Sequence, residues 1–219
     1  MRQSSIMDII SPIMVGPSSS HTAGAVRLGL MARNVYDAPI KKITFRLYNS
    51  YAQTGKGHGT DKGLLAGILG LRVDDTRIKN IFESNLAREI DYKFEYKEDF
   101  NRHPNAVDFL FDGNLSMQVS GDSIGAGEIV ITKIDNFSVN LTGKYNTLLL
   151  VYKDVPGMIS RVTKRIDVNI ASLQCDRYAK GDDASMCICL DGEVDKSLIE
   201  TLKAFDDVYM VRYIRKLEN

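Results

Sequence analysis

Apolar and polar residues follow two different periods along the first half of the 219-residue chain. Beyond Thr22 the apolar positions recur at three- and four-residue intervals, which is typical of an amphipathic helix, and Pro39 lies just past its expected end. The apolar stripe of this helix comprises Ala25, Leu28, Ala32 and Val35. Residues 40–50 then alternate, which predicts a strand. The apolar face of this strand carries Ile43, Phe45 and Leu47.

The pattern changes again after this strand. A glycine-rich stretch, residues 54–63, leads into the apolar segment 64–71, which predicts a second helix, and residues 75–90 predict a third. From residue 91 to residue 140 the chain alternates in short runs closed by turn residues, as expected of successive strands. Helices that flank or cap a mostly antiparallel sheet indicate an α+β fold for this half.

A second set of elements starts near residue 143. Strands are predicted over residues 147–154, 169–179, 184–192 and 208–217, and helices over 154–167 and 195–205. The order βαββαβ in roughly seventy residues defines a ferredoxin-like unit. We therefore expect two domains, residues 1–142 and residues 145–219, with a boundary near 141–145.

Charge and composition limit the partners of such a chain. The 28 basic and 28 acidic residues balance, which argues against nucleic acid or an acidic membrane surface as an obligate partner. No apolar run is long enough to span a bilayer and no convincing cleavage site follows the start of the chain, so we expect a cytoplasmic protein. The three cysteines do not form a disulfide framework.

All three histidines lie in the first half, each in a stretch rich in Gly, Pro, Ser, Thr or Asn: His21, His58 and His103. A lone histidine is more often structural than catalytic. Loops held by a scaffold can nevertheless aim several side chains at one point, and histidine is the natural proton carrier near neutral pH. Convergence of these three stretches on one small polar ligand is therefore a specific hypothesis.

Three consecutive serines, Ser18, Ser19 and Ser20, stand just before the first predicted helix. Capping of free amides accounts for one of them. It does not account for three serines together with His21 and Thr22, whereas helix-start amides with several hydroxyls suit a carboxylate. No G-x-S-x-G sequence surrounds these serines, so a nucleophilic hydrolase is not expected.

A nucleotide-binding site and a cysteine metal site are both disfavoured by the sequence. The glycine-rich stretch lacks the Lys-Ser/Thr pair of a Walker A loop, because Gly57 follows Lys56, and Thr60 stands where a dinucleotide fingerprint needs glycine. The cysteines fall inside predicted strands rather than loops, so we expect core packing instead of a metal site. The residues concerned are Cys175, Cys187 and Cys189.

The second unit resembles the ACT domain, a small regulatory fold that often pairs with a copy of itself and binds an amino acid. The turn Asp154-Val155-Pro156-Gly157-Met158-Ile159 and the pair Asn169-Ile170 carry the resemblance. It implies a candidate effector site made of Asp154, Pro156, Gly157, Met158 and Asn169. The alternative is that Asp154 caps the helix and that Pro156-Gly157 only shapes the turn. Asp167 and Val168 stand before Asn169, where a glycine is common.

Three motifs in order resemble the beta chain of the two-chain, iron-sulfur-dependent L-serine dehydratases over the whole length. They are Gly16-Pro17-Ser18-Ser19-Ser20-His21-Thr22, Gly55-Lys56-Gly57-His58-Gly59-Thr60-Asp61 and His103-Pro104-Asn105, followed by Ala106 where threonine is expected. The family implies a lyase that converts L-serine to pyruvate and ammonia in amino-acid catabolism and gluconeogenesis. It also implies that a partner alpha chain holds a [4Fe-4S] cluster, so that this chain forms a heterodimer, binds no metal and is inactive alone.

The resemblance also implies roles for the residues of these motifs. A group of hydroxyls would hold the substrate carboxylate, namely Ser18, Ser19, Ser20 and Thr22. His21 and His58 are both candidates for the base that removes the α-proton, and the sequence does not choose between them. The remaining residues implied at the substrate are Gly59, Thr60, Asp61, His103 and Asn105, with Thr60 and Asp61 orienting His58.

Two other classes of function remain open at this point. One is a non-catalytic serine sensor, since the first half also resembles a regulatory domain of some phosphoglycerate dehydrogenases. The other is a structural subunit that only positions a catalytic partner. The histidine motifs favour the dehydratase, because simple binding does not need them. The preference for serine over threonine depends on the volume of the pocket, which the motifs do not record.

Overall fold

Two sheets organise the part of the chain described by the computed structural model, which comprises residues 14, 16, 18–113, 115–177 and 179–218. The first compact unit extends to Asn136, and the second spans Phe137–Glu218. This division lies a few residues before the predicted domain limits of 142 and 145. The combination of helices with two sheets confirms the predicted α+β fold.

Within the first unit the strands have the order β2-β1-β3-β4-β5. They are β1 (Lys42–Tyr48), β2 (Asp91–Lys97), β3 (Ala106–Asp112), β4 (Met117–Gly125) and β5 (Glu128–Ile134), and the second unit opens with β6 (Phe137–Leu141). Strand β1 pairs in parallel with β2, whereas the pairs β1–β3, β3–β4 and β4–β5 are antiparallel. The expectation of a mostly antiparallel sheet is therefore confirmed.

Helices accompany this sheet. A π-helical turn (Ser19–Ala23) precedes α1 (Gly24–Tyr36), and β1 is followed by α2 (Asn49–His58), α3 (Thr60–Ile68), a 3-10 helix (Thr76–Glu83) and α4 (Asn85–Arg88). Helix α1 packs on β4, β5 and α3. The whole predicted apolar stripe of α1 is fully buried there: Ala25, Leu28, Ala32 and Val35.

Helices α1 and α3 approach each other through glycines. A Cβ atom on Gly29 would lie 2.5 Å from the carbonyl oxygen of Leu64, and one on Gly63 would lie 2.9 Å from that of Thr22. A Cβ atom on Gly67 would also overlap the main chain of α1. Because the glycines at positions 63 and 67 are one helical turn apart, the two backbones pack in direct contact. This contact holds the start of α1 beside the start of α3.

The glycine-rich stretch 54–63 is not the loop that its composition predicts, because most of it is helical. Gly55 lies inside α2, where a Cβ atom would lie 2.9 Å from Asp61 Oδ1. Gly59 has φ 75° and ends the helix as a left-handed residue. Gly55 thus serves close packing and Gly59 a helix end. The predicted third helix over 75–90 is instead a 3-10 helix followed by the short α4.

The second unit contains the predicted βαββαβ order. Its elements are β7 (Asn146–Lys153), α5 (Met158–Thr163), β8 (Ile170–Arg177), β9 (Asp183–Leu190), α6 (Lys196–Lys203) and β10 (Val208–Ile214). The antiparallel sheet has the order β10-β7-β9-β8, as in ferredoxin-like folds. Alternate residues of β7 and β9 form one core with residues of the two helices. This core includes Leu148, Leu150, Met158, Val162, Met186, Ile188 and Leu202.

The cysteines of this unit differ in their environments. Cys187 and Cys189 are buried on the face of β9 that points away from the helices, as expected of small apolar side chains. The prediction of core packing is wrong for Cys175, which is exposed. The reason is the position of β8, which is an edge strand of the sheet and is largely exposed along its length.

Candidate functional site

The first motif forms the π-helical turn that continues directly into α1. Ser18 precedes the turn in an extended conformation, and its hydroxyl accepts a hydrogen bond from the His21 amide at 3.1 Å. Ser18 is therefore the serine that caps the helix. π-helical turns are rare and frequently occur at functional sites, which makes this helix start a candidate site.

The His21 ring lies between two serine hydroxyls. Its Nδ1 is 3.3 Å from Ser18 Oγ, and its Nε2 is 3.3 Å from Ser50 Oγ at the start of α2. The ring centroid is 5.5 Å from that of Tyr51. Burial and, to a smaller extent, the neighbouring His58 lower the pKa of His21 below its ordinary value. His21 is thus held in a fixed position, and its lowered pKa favours the neutral imidazole.

His58 stands beside His21 but faces outward. The two ring centroids are 5.1 Å apart, and the His58 side chain is exposed. Within the residues that the structure describes, its imidazole makes no hydrogen bond. Its carbonyl oxygen accepts a hydrogen bond of 2.8 Å from the Thr22 hydroxyl, which ties the second motif to the first. The fold therefore brings the first two motifs together and leaves one imidazole open to a ligand.

The two polar residues after Gly59 lie below the surface. Thr60 is 0% exposed, and its hydroxyl has no hydrogen-bond partner among the described residues. Asp61 is buried, and its Oδ2 accepts a hydrogen bond of 2.8 Å from the Tyr96 hydroxyl. Neither side chain is accessible to a substrate in this conformation. The contact that holds the His58 main chain comes from Thr22, which is also buried.

The third motif is joined to the other two through main-chain hydrogen bonds. Nδ1 of His103 accepts a hydrogen bond of 3.1 Å from the Asn105 amide, so the neutral ring carries its proton on Nε2. The Pro104 carbonyl accepts a hydrogen bond from the Tyr51 amide at 3.2 Å, and the Asn105 carbonyl accepts one from the Ser123 amide at 3.1 Å. Asn105 Oδ1 is buried and lacks a partner among the described residues. His103 and Asn105 thus lie beside α2 and β4.

A buried ion pair anchors the loop that carries the third motif. Arg102 donates to Asp108 Oδ1 at 2.8 Å, Tyr48 donates to Asp108 Oδ2 at 2.7 Å, and the Asp108 side chain is 2% exposed. From the start of α2, the Asn49 side-chain amide donates to the carbonyl oxygens of Asp99 and Arg102 at 2.8 and 3.2 Å. These contacts fix the position of the loop relative to α2.

Acid should weaken the ion pair between Arg102 and Asp108. Burial by itself raises the pKa of the Asp108 carboxyl, but its hydrogen bonds, led by the one from Arg102, outweigh burial and hold the pKa below its ordinary value. A carboxyl with a depressed pKa stabilises the fold above its unfolded-state pKa of about 4, and this contribution is lost as the pH falls below it. The difference in unfolding free energy between wild type and Asp108→Asn should therefore be largest near pH 6 and shrink toward pH 3.

Urea denaturation at a series of pH values measures this difference. Asp112→Asn is the matched control, since Asp112 pairs with Lys42 at 3.0 Å but both side chains are about half exposed or more. Its difference from wild type should stay small at every pH. Parallel pH profiles for wild type and Asp108→Asn would contradict the anchoring role of Asp108.

The hydroxyls of the first motif divide into two pairs. Ser18 caps the helix and Thr22 holds the His58 carbonyl, so both are engaged within the protein. The hydroxyls of Ser19 and Ser20 make no hydrogen bond among the described residues, and both side chains are partly exposed. Their amides precede the first hydrogen bonds of the helix. Hydroxyls and free amides at a helix start can together receive a carboxylate.

Sequence reasoning missed three residues that shape this site: Ser50, Tyr51 and Ser123. Ser50 and Tyr51 precede His58 by about two helical turns, so a helical interpretation of residues 49–58 would have placed them near the His58 face of α2. The glycines of this segment instead favoured a loop when the sequence alone was considered. No sequence signal marks Ser123, which lies in β4 far along the chain from the motifs.

The structure does not bring the candidate effector residues of the second unit together within one chain. Asp154 Oδ2 lies 3.3 Å from Nη1 of Arg177, the last residue of β8. It also accepts a hydrogen bond of 3.2 Å from the amide of Gly181, which follows that strand. Asn169 precedes β8 and donates to Asp191 at 3.2 Å. The length of β8 therefore separates Asn169 from the contacts of Asp154 by roughly 23 Å.

The turn itself is shaped by glycine. Gly157 has φ 83° and precedes α5 without a side-chain cap, so the alternative interpretation in which Asp154 caps the helix is wrong. Pro156 and Gly157 are exposed, whereas Met158 is buried in the core. Of the predicted effector residues in this turn, Met158 thus offers no side chain to a ligand in this conformation.

The described residues were also considered as metal ligands and as membrane spans, and they provide neither. Among them, no group of three or more His, Cys, Asp or Glu side chains could hold a metal ion. Within the same part of the chain, no helix combines the length and the apolar character needed to cross a membrane.

Comparison with known proteins identifies relatives over nearly the full chain. The chain is 34% identical over 218 residues to the probable L-serine dehydratase, beta chain, of Bacillus subtilis (strain 168), covering 98% of this chain and 99% of that protein. It is 38% identical over 210 residues to the L-serine dehydratase, beta chain, of Peptoniphilus asaccharolyticus, covering 93% of each. The chain belongs to the serine dehydratase beta chain family. The family model described as serine dehydratase beta chain matches residues 5–88.

Within this family assignment, the matched segment contains the first two motifs, with both His21 and His58. The full-length serine dehydratase beta chain matches extend the likeness over the third motif and the second unit. A D-3-phosphoglycerate dehydrogenase of Bacillus subtilis (strain 168) is 24% identical over 202 residues, covering 87% of this chain and 37% of that enzyme. The predicted resemblance to serine dehydratase beta chains is thereby confirmed.

Proposed function

We propose that this chain is the beta subunit of an L-serine ammonia-lyase that converts L-serine to pyruvate and ammonia together with an alpha chain. The observation that carries the proposal is the pair of imidazoles, 5.1 Å apart, beside a helix start with two available serine hydroxyls. This arrangement offers both a carboxylate site and a proton acceptor. The names of the two full-length relatives support a serine dehydratase subunit.

The helix start would receive the substrate carboxylate. Ser19 and Ser20 present hydroxyls and amides at the positive end of the continuous helix from Ser19 to Tyr36. Donors aimed at the carboxylate favour the carbanion-like charge that develops when the α-proton leaves. Ser18 and Thr22 support this site indirectly, since their hydroxyls hold His21 and His58 in place.

His58 would be the base that removes the α-proton. Its exposed imidazole has free ring nitrogens among the described residues, whereas both ring nitrogens of His21 lie near serine hydroxyls. A general base must reach the proton that it abstracts, which favours the open ring. His21, neutral and fixed beside it, would bind the substrate and limit the charge that the pair carries.

The described residues of this chain do not fit an iron-sulfur cluster, because they contain no set of metal ligands and two of the cysteines are buried. We therefore propose that the [4Fe-4S] cluster is held by the alpha chain. When bound there, the cluster would supply Lewis-acid activation of the substrate hydroxyl as a leaving group. Binding of the carboxylate and transfer of the α-proton remain the work of this chain.

Substitution of the serines should separate binding from folding. Ser19→Ala and Ser20→Ala should each raise KM for serine about tenfold in the assembled enzyme, since each removes one hydrogen bond to a charged group. Their unfolding free energies should stay close to wild type. Ser18→Ala should instead lower the unfolding free energy by about 1 kcal/mol, because it removes the helix cap. An unchanged KM in both Ser19→Ala and Ser20→Ala would contradict the carboxylate site.

A non-catalytic serine sensor is the second candidate, and the similarity to a D-3-phosphoglycerate dehydrogenase favours it. A sensor also needs a carboxylate site, but it does not need a base. Co-expression with a cysteine-bearing alpha chain, followed by pyruvate assays of wild type and His58→Ala, distinguishes the two. If this chain is a dehydratase subunit, His58→Ala should abolish pyruvate formation by the assembled pair. If it is a sensor, the pair should form pyruvate equally well with wild type and with His58→Ala.

The same preparations test the two-chain arrangement. This chain purified alone should show neither visible iron-sulfur absorbance nor serine deamination, and the co-purified pair should show both. A brown, active preparation of this chain alone would contradict the arrangement. For the second unit, the ferredoxin-like strand order supports an ACT domain that joins two copies, which the mass of the assembled enzyme would test.

A further inference from the structure

The carbonyl oxygen of Ser20 receives two side-chain hydrogen bonds. The Tyr51 hydroxyl donates to it at 2.9 Å, and the Ser123 hydroxyl donates to it at 3.0 Å. Tyr51 and Ser123 are both 0% exposed. Burial raises the pKa of Tyr51 well above its ordinary value, so its hydroxyl stays protonated and donates. Both lone pairs of one main-chain oxygen inside the π-helical turn are therefore engaged from outside the helix.

Each donor belongs to an element that is itself fixed to another part of the site. Tyr51 lies in α2, where its amide donates to the Pro104 carbonyl of the third motif. The Ser123 amide donates to the Asn105 carbonyl of the same motif. The first and third motifs are thus joined through two buried hydroxyls at Ser20, one of them from α2, the helix that also carries His58 of the second motif.

A glycine in α1 makes the second contact possible. A Cβ atom on Gly24 would overlap the Ser123 hydroxyl, so a larger residue at position 24 would push Ser123 away from Ser20. Helix α1 and strand β4 can therefore approach closely enough for this hydrogen bond. The close approach is built into both elements.

We propose that Tyr51 and Ser123 are positioning residues that set the orientation of the Ser20 hydroxyl and of the His21 ring by holding the Ser20 carbonyl. They do not touch the substrate. The two donors fix the orientation of the Ser20 carbonyl inside a π-helical turn, a type of turn that frequently occurs at functional sites. Rotation of the peptide plane after Ser20 would displace the residues on either side of it, Ser20 and His21.

The kinetic test uses the assembled enzyme and rests on the proposed function. Tyr51→Phe should raise KM for serine five- to tenfold with kcat within threefold of wild type, because one hydrogen bond that orients the binding hydroxyl is lost. Ser123→Ala should act in the same direction. The double variant should raise KM at least threefold beyond the product of the single effects, since it leaves the shared oxygen without either donor.

Tyr36→Phe is the matched control. Tyr36 is also buried, and its hydroxyl donates to a main-chain carbonyl, that of Leu115, at 3.0 Å. It lies at the opposite end of α1 from the site. The control should therefore lose comparable thermal stability and keep the KM of wild type. An equal KM in Tyr51→Phe and Tyr36→Phe would overturn the positioning role.

Hydrogen exchange provides a readout that does not depend on activity. In the full chain, Tyr51→Phe should accelerate exchange at the amides of Thr22 and Ala23, which form the first hydrogen bonds of the turn, while Tyr36→Phe should leave them unchanged. If the wild-type pair of chains fails to deaminate serine, the proposed function is wrong, but this comparison still decides the positioning role. Unchanged exchange at both amides would overturn it.

Discussion

His58→Ala should lower the rate of pyruvate formation by the assembled enzyme by a factor of about 10² to 10⁴, the range typical of a lost general base. The physical reason is the exposure of this imidazole, which has no hydrogen bond among the described residues and stands 5.1 Å from the His21 ring. No other histidine of the site combines accessibility with free ring nitrogens. The effect should fall on kcat, since the α-proton leaves during the chemical step.

The control for this prediction is His103→Ala. Nδ1 of His103 accepts the Asn105 amide, so this ring is committed to the loop and should not serve as the base. Its removal should change kcat by less than tenfold. Steady-state assays at saturating serine measure both variants. A loss of less than tenfold in His58→Ala, or a larger loss in His103→Ala, would contradict the assignment of the base.

Gly67→Ala should lower the unfolding free energy of the first unit by about 3 kcal/mol or more, or prevent folding. A Cβ atom at this position would overlap the Val26 carbonyl oxygen and lie 2.8 Å from Gly29 Cα and from Leu30 N. All three neighbours are main-chain atoms of α1, so no side-chain rotation can relieve the overlap. Helices α1 and α3 would have to separate, and the first two motifs adjoin the starts of these helices.

Gly57→Ala is the control for this substitution. Gly57 is also helical, but it is exposed and a Cβ atom there would have no neighbour within 4 Å. Alanine should therefore be neutral or stabilise the chain by up to about 1 kcal/mol. Urea denaturation of the two variants measures the difference. Equal denaturation midpoints would show that the α1–α3 contact is not close-packed as described.

Regular elements with one buried face could be predicted from the sequence. The stripe of α1 is fully buried as expected, and the β7-to-β10 region folds in the predicted βαββαβ order. In both cases the period of the apolar residues decides the element, because burial of one face dominates the local energetics. The three motifs also pointed to the right family.

Features that depend on tertiary contacts could not be predicted. The helix over residues 49–58 contains Gly55 and Gly57, which composition assigns to a loop, but a Cβ atom on Gly55 would lie only 2.9 Å from Asp61 Oδ1. Cys175 lies in a strand as expected and is nevertheless exposed, because strand order alone decides which strand lies at an edge.

In the candidate site, too, the contacts between distant parts of the chain could not be predicted. The motifs identified His21 and His58, and the structure places their rings side by side. The division of the hydroxyls into structural and available pairs could not be predicted, since Thr22 bonds to a carbonyl 36 residues away along the chain. Ser123 reaches Ser20 across 103 residues, so no local pattern could reveal it.

Exchange of the α-hydrogen of serine in deuterated water tests whether this chain supplies the proton-transferring half of the site. The assembled enzyme is incubated with L-serine, and deuterium at Cα of the recovered serine is measured for wild type, His21→Ala and His58→Ala. Visible absorbance is recorded in parallel, so that each sample is known to retain the same cluster content. We predict exchange in wild type and none in His58→Ala at equal absorbance. Normal exchange in both histidine variants would contradict the account.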